Sequence, residues 1–145
     1  MNAAVDRGGP RAQIADLVAE HAWVLDRGDP RRLPDLYRPD GQLLGLGEPI
    51  IGREALERWA DARAKLDRVS RHVHTNQRSW QDPDGVWHGS LITLLWRHDG
   101  PGDGPAWPQL VLDYDDVYDF GADGRCRFAR RQISRVFVDR ARVPR

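Results

Sequence analysis

The chain has 145 residues and a mass of 16.5 kDa, with 40% hydrophobic and 30% charged residues. That is room for one hydrophobic core and not for two, which excludes a multidomain enzyme. Lys plus Arg and Asp plus Glu each total 22, so no net field holds a polyanion or an acidic membrane surface. Cys126 is the single cysteine, which excludes an intramolecular disulfide and argues against a cysteine metal cage. Met1 to Pro10 carries no apolar leader, and no run approaches the roughly 20 apolar residues of a membrane span. The expectation is a soluble, cytoplasmic protein with no nucleic-acid or membrane partner: a loose arm over residues 1–10, one domain over 11–139 and a short tail over 140–145.

From Arg11 the positions Ile14, Leu17, Val18, His21, Ala22 and Leu25 keep helical spacing, and Gly28 sits where a helix stops. This predicts a first helix over Arg11 to Arg27. Asp29-Pro30 reads as an N-cap followed by proline at the first helical position, opening a short helix toward Tyr37 that Pro34 must bend. Gln42 to Leu46 predicts a brief strand. Leu56, Trp59, Ala60 and Arg63 then predict a third helix over Arg53 to Lys65. Beyond Ser70 the period becomes two, with turn signals at Asp82-Pro83-Asp84-Gly85, Gly100 to Pro108 and Gly121 to Gly124. Four strands follow, at about Arg71 to Trp80, Val86 to Arg97, Gln109 to Phe120 and Arg125 to Val138. Their hairpin-like connections predict an antiparallel meander, and helices before a meander predict an α+β fold with the helices on one face of a curved sheet.

Polar side chains fall where a core is expected. His21 sits in the middle of the apolar stripe of the first helix. Asp26 lies at its edge near the helix C-terminus, where the macrodipole disfavours an anion and a partner is needed. In Arg71-His72-Val73-His74-Thr75-Asn76, alternation puts His72, His74 and Asn76 on one face. Buried polar groups on that face need partners, because each one left unsatisfied costs about 1–3 kcal/mol. His21 and Asp26 can supply them. A carboxylate facing an imidazole fixes its tautomer and raises its basicity, which suits proton abstraction near neutral pH. Two imidazoles on one strand face, with His21 or Asp26 as a third ligand, also match a metal site; the reading taken is one with no metal and no cofactor. Alternation alone leaves open which side of the last two strands is inward. His88 and His98 lie beside turns as solvent groups, and Cys126 reads as a small apolar filler.

Several segments together resemble a known family: Leu25-Asp26-Arg27-Gly28-Asp29, Gly52-Arg53-Glu54-Ala55-Leu56, the His72-Val73-His74 strand, and Asp123-Gly124-Arg125-Cys126-Arg127-Phe128-Ala129-Arg130-Arg131. In this order, and with three helices followed by a long antiparallel meander, they are similar to the SnoaL-like branch of the NTF2-like superfamily over about Arg11 to Phe137. The resemblance implies a sheet curled into a cone around a deep cavity closed by the helices. Members similar to scytalone dehydratase, bile-acid dehydratase and hexachlorocyclohexane dehydrochlorinase use a His–Asp dyad inside the cone to remove a proton. By that resemblance His72 and Asp26 are the dyad and Arg131 is a cavity arginine. His21 departs from the Lys or Tyr of relatives, and Cys126 from the usual Trp of the terminal motif.

The reading that results is a cofactor-independent lyase or isomerase, dehydratase- or cyclase-like, acting on a small hydrophobic, cyclic or polyketide-like molecule. His72 is its base and Asp26 orients it, while Arg131 and His21 steady negative charge. His74, Asn76, Tyr114, Trp23, Trp59 and Trp96 are the candidate substrate contacts. The rival class is a ligand-binding or oligomerisation module without chemistry. An open sheet edge or face also leads to the expectation of a homodimer or homotrimer.

Overall fold

The computed structural model describes residues 8–142. Helix α1 spans Pro10–Asp26, a 3-10 segment spans Pro30–Leu36, and helix α2 spans Arg53–Ala64. The strands are β1 (Tyr37–Leu44), β2 (Ile50–Ile51), β3 (Arg68–Gln81), β4 (Trp87–Asp99), β5 (Leu110–Phe120) and β6 (Cys126–Val138). The expected arm lies outside the described residues as far as residue 7, and Gly9 and Pro10 already cap and open α1. Of the expected tail, residues 143–145 lie outside as well.

The strands form one sheet in the order β2-β1-β6-β5-β4-β3. From β3 to β6 it is the expected antiparallel meander, with Leu95 opposite Leu110 and Tyr114 opposite Ile133. The sheet as a whole is mixed rather than antiparallel, because β1 pairs parallel with β6. Hairpin logic cannot see that pair: its strands are joined through the whole remainder of the chain. The predicted strand Gln42 to Leu46 overlaps only the last three residues of β1, Gln42 to Leu44; Gly45 and Leu46 lie beyond it, and its first five residues are obscured in the sequence by Pro39 and Gly41.

The local chemistry explains the helices. Pro10 at the start of α1 needs no backbone donor, and at the other end the Arg27 and Gly28 amides both donate to the Trp23 carbonyl. The Asp29 carboxylate accepts from the Arg31 amide, capping the 3-10 segment as expected. Ile14, Val18, Leu33 and Leu56 are fully or almost fully buried between helices and sheet, each contributing roughly 1.5–3 kcal/mol.

Burial settles which strand faces turn inward. On β5 the inner row is Leu110, Leu112, Tyr114, Asp116 and Tyr118; on β6 it includes Phe128, Arg131 and Ile133. Gly45, at φ +97°, lets the chain pass so close to β6 that a Cβ there would stand 1.8 Å from the Ile133 carbonyl oxygen.

Candidate active site

The site begins at the last residue of α1. Asp26 reaches across to β3, where one carboxylate oxygen (Oδ1) lies 2.7 Å from His72 Nδ1 and accepts from the Ser70 hydroxyl at 2.7 Å. The other (Oδ2) accepts from the His72 amide at 2.7 Å. Burial pushes the Asp26 carboxyl up, but the hydrogen bonds and charge of His72, joined by Ser70, outweigh it and hold the carboxyl below its usual range. An anion at a helix C-terminus is thereby stabilised, and the helix end is neutralised separately: Arg63 donates to the Leu25 carbonyl and Arg71 to the Asp26 carbonyl. Arg63 also donates to Ser70, so α2 braces the same arrangement.

His72 lines a cavity between the helices and the inner face of the sheet. The cavity encloses about 720 Å³ of atom-free space, its open mouth included. His21, Trp59, Tyr114 and an apolar group that includes Leu25, Leu43, Leu95 and Leu112 line it with His72. With Nδ1 committed to Asp26, Nε2 is the ring nitrogen left to exchange a proton.

The remaining candidates divide. His21 is buried, with Nε2 3.1 Å from the Tyr37 hydroxyl and its ring edge-on to Phe128. Burial, then the charge of Arg131, keeps its pKa well below the ordinary value, so it is a neutral imidazole. His74 bonds through Nδ1 to Thr93 Oγ1 at 2.8 Å and stacks edge-wise on Tyr114. Burial and Arg131 push its pKa down to about 3. Tyr114 is pushed up to about 12 by burial and therefore keeps its proton. Arg131 is sealed: two of its nitrogens bond the Asp116 carboxylate at 2.8 Å each, and neither side chain has any exposure. Its guanidinium lies against Tyr114 and Phe128. Among the described residues, two buried nitrogens find no hydrogen-bond partner in this region, His74 Nε2 and Arg131 Nη1.

Three candidates stand away from the cavity. Strict alternation places Asn76 beside His74, but β3 bulges: Thr75 and Arg78 pair with Ile92 and Ser90, three residues against two. Asn76 takes up the extra residue at φ +53°, a left-handed conformation asparagine tolerates better than most residues, and it is exposed. Trp23 is 49% exposed and carries Arg27 against its ring. Trp96 neighbours Leu95 on β4 and so points to the opposite face of the sheet, where it lines an outer groove with His98.

Sequence reasoning missed Asp116, Ser70, Thr93 and Tyr37, each a hydrogen-bond partner of a candidate. Asp116 is two residues beyond Tyr114 on one strand face, a signal that becomes readable once that face is known to be inward. Among the described residues no three His, Cys, Asp or Glu side chains converge as metal ligands, and the Nδ1 atoms of His72 and His74 already serve Asp26 and Thr93.

The sequence matches the model of the SnoaL-like domain over residues 10–132. The chain belongs to the SnoaL-like family. Its fold is that of the NTF2-like proteins, with three helices on a six-stranded mixed sheet that does not close into a barrel. A Catenulispora acidiphila protein solved in complex with S-DNPA is similar at 26% identity and TM-score 0.67, over 86% of this chain and 92% of that one. A putative scytalone dehydratase from Novosphingobium aromaticivorans superposes with TM-score 0.75 at 17% identity, over 88% of this chain and 84% of that one. A hexachlorocyclohexane dehydrochlorinase superposes with TM-score 0.73 at 20% identity, over 92% and 89%. No curated protein sequence matches the chain. No helix among the described residues is long and apolar enough to cross a membrane.

Proposed function

We propose that the protein is a cofactor-independent lyase of the dehydratase type, with His72 as general base and Asp26 as the residue that orients it. The observation that carries this reading is the pair itself: an imidazole on a cavity wall whose inner nitrogen is held at 2.7 Å by a carboxylate fixed by two further hydrogen bonds. In the reaction, His72 Nε2 takes a proton from the carbon next to a carbonyl. The electron pair forms the carbon–carbon double bond, and the β-hydroxyl leaves as water after receiving the proton back from His72. Negative charge passes transiently to the carbonyl oxygen. Tyr114, which keeps its proton, is the hydroxyl donor on the cavity wall, and the Arg131 guanidinium, paired with Asp116, lies against its ring. His21, neutral and tied to Tyr37, shapes the inner end, and Trp59 with the leucines accepts an apolar ring.

The test is turnover of a panel of cyclic β-hydroxy ketones, read by enone absorbance. His72→Ala is expected to lower the rate by about 10²–10⁴-fold with an unchanged circular dichroism spectrum. A fully active, folded His72→Ala protein would sink the assignment.

A further inference from the structure

The cavity has a chemical gradient along its axis that an apolar substrate does not explain. Three of the inner rows that line the cavity continue at one end into an arginine. On β3 the row His72, Ser70 continues to Arg68; on β4, Leu95 continues to Arg97; on β6, Ile133 continues to Arg135; and α2 adds Arg63 from the other side. All four arginines line the cavity, whereas no Asp or Glu does. The strand register keeps three of them at one end: Arg97 pairs with Ser70, Arg68 with Asp99, and Arg135 with Leu112.

Their compensation is incomplete. Arg68 is held bidentately by Asp99, at 2.7 and 2.9 Å. Arg63 spends one nitrogen on the neutral acceptors Leu25 O and Ser70 Oγ. Among the described residues, the Arg97 and Arg135 guanidiniums have no carboxylate within ion-pair distance. Arg97 is half-buried, so its charge is only partly solvated. Burial, followed by mutual repulsion with Arg68, holds both Arg63 and Arg97 below the ordinary guanidinium range. Crowded like charges around a concave opening are relieved by an anion placed between them, and guanidinium forks match planar oxyanions in particular.

We propose that Arg97 and Arg135, with Arg68 and Arg63, form an oxyanion-binding collar, so that the substrate enters with an apolar body toward His72 and an anionic group held at the mouth. The group is a carboxylate on the substrate itself or a phosphate of a carrier to which the substrate is joined as a thioester. This refines the substrate class of the proposed dehydratase and depends on the same cavity being its binding site, but its test needs no turnover.

The test is calorimetric titration with three probes that share one ring system: 2-naphthamide, 2-naphthoate and the coenzyme A thioester of 2-naphthoic acid. In the unaltered protein at low salt, at least one anionic probe is expected to bind about tenfold or more tighter than the amide, an advantage that shrinks as salt screens it. Arg97→Gln/Arg135→Gln is expected to remove that advantage while leaving amide affinity in place. Arg135→Gln alone, at an exposed position, gives a partial loss in a protein whose core is untouched. A preference for naphthoate identifies a substrate carboxylate, and a preference confined to the thioester identifies the carrier phosphates. Equal affinity for all three probes, or an advantage that survives the double variant, would overturn the collar. His72→Ala keeps the expected preference even though it loses turnover, so failure of the collar and failure of the dyad give different results.

Discussion

Two carboxylates sit beneath the inner face of the sheet, each bonded to a nitrogenous side chain at nearly the same distance, and they do different work. Asp26 and His72 meet at 2.7 Å and retain 8% and 10% exposure; Asp116 and Arg131 meet at 2.8 Å and retain none. Asp116 is further locked by the Tyr118 hydroxyl at 2.9 Å, and Gly89 keeps the space for that ring, since a Cβ there would come within 2.6 Å of the phenolic oxygen. A guanidinium cannot be deprotonated in a protein, so the Arg131 pair is a permanent charge arrangement. An imidazole can exchange its proton, and His72 lines the cavity. The lesson is that access and the chemistry of the cation, rather than the presence of a buried carboxylate pair, separate a centre able to exchange a proton from one that is fixed.

That separation can be broken experimentally. Asp116→Ala leaves a fully buried guanidinium without its counter-charge, and removing one partner of such a pair costs about 3–5 kcal/mol; urea unfolding at pH 7 is expected to show a loss in that range. Asp26→Asn keeps the shape of the other centre but removes its charge and turns one of its two accepting oxygens into a donor. It is expected to lower the rate by at least about tenfold, through loss of the carboxylate that orients His72, and to cost less stability than Asp116→Ala does. A reversal, with Asp26→Asn destabilising more than Asp116→Ala, would mean that the two centres have been assigned the wrong way round.

The candidate site was readable in the sequence because several of its members break a local pattern. His21 interrupts an apolar stripe, Asp26 sits at an unfavourable helix end, and His72 and His74 share a strand face. The supporting shell was not readable. Ser70 lies where the helical pattern gives way to the strands, and Thr93 is one ordinary residue of an apolar strand. Asp116 lies on a strand with carboxylates on both faces, so only tertiary packing could select it. The limits of β3, β4, β5 and β6 were legible within a few residues from turn chemistry. The β1–β6 pairing was not, because no local signal encodes a contact between the first strand and the last. Asn76 failed for a different reason: period-two logic carries a residue to the wrong side as soon as one bulge intervenes.

The smallest expected effect tests whether the inner imidazoles are held neutral, by burial first and by the charge of Arg131 second. His74 has a native pKa of about 3 against an ordinary value of 6.5. Between those values the unfolded chain binds a proton that the native protein does not, so stability falls as pH falls across that window. The slope for one such group is about 1.4 kcal/mol per pH unit. His21, displaced in the same direction, adds to the loss, and the lowered carboxyl of Asp26 adds a further loss only below about pH 4. His74→Asn places an amide where Nδ1 meets Thr93 and removes the titrating ring. Urea unfolding of both proteins at pH 7 and pH 5 is expected to show the unaltered protein losing up to about 2 kcal/mol more than the variant. Equal losses would mean that His74 takes up its proton within the native fold as readily as in the unfolded chain, and that it is not held neutral there.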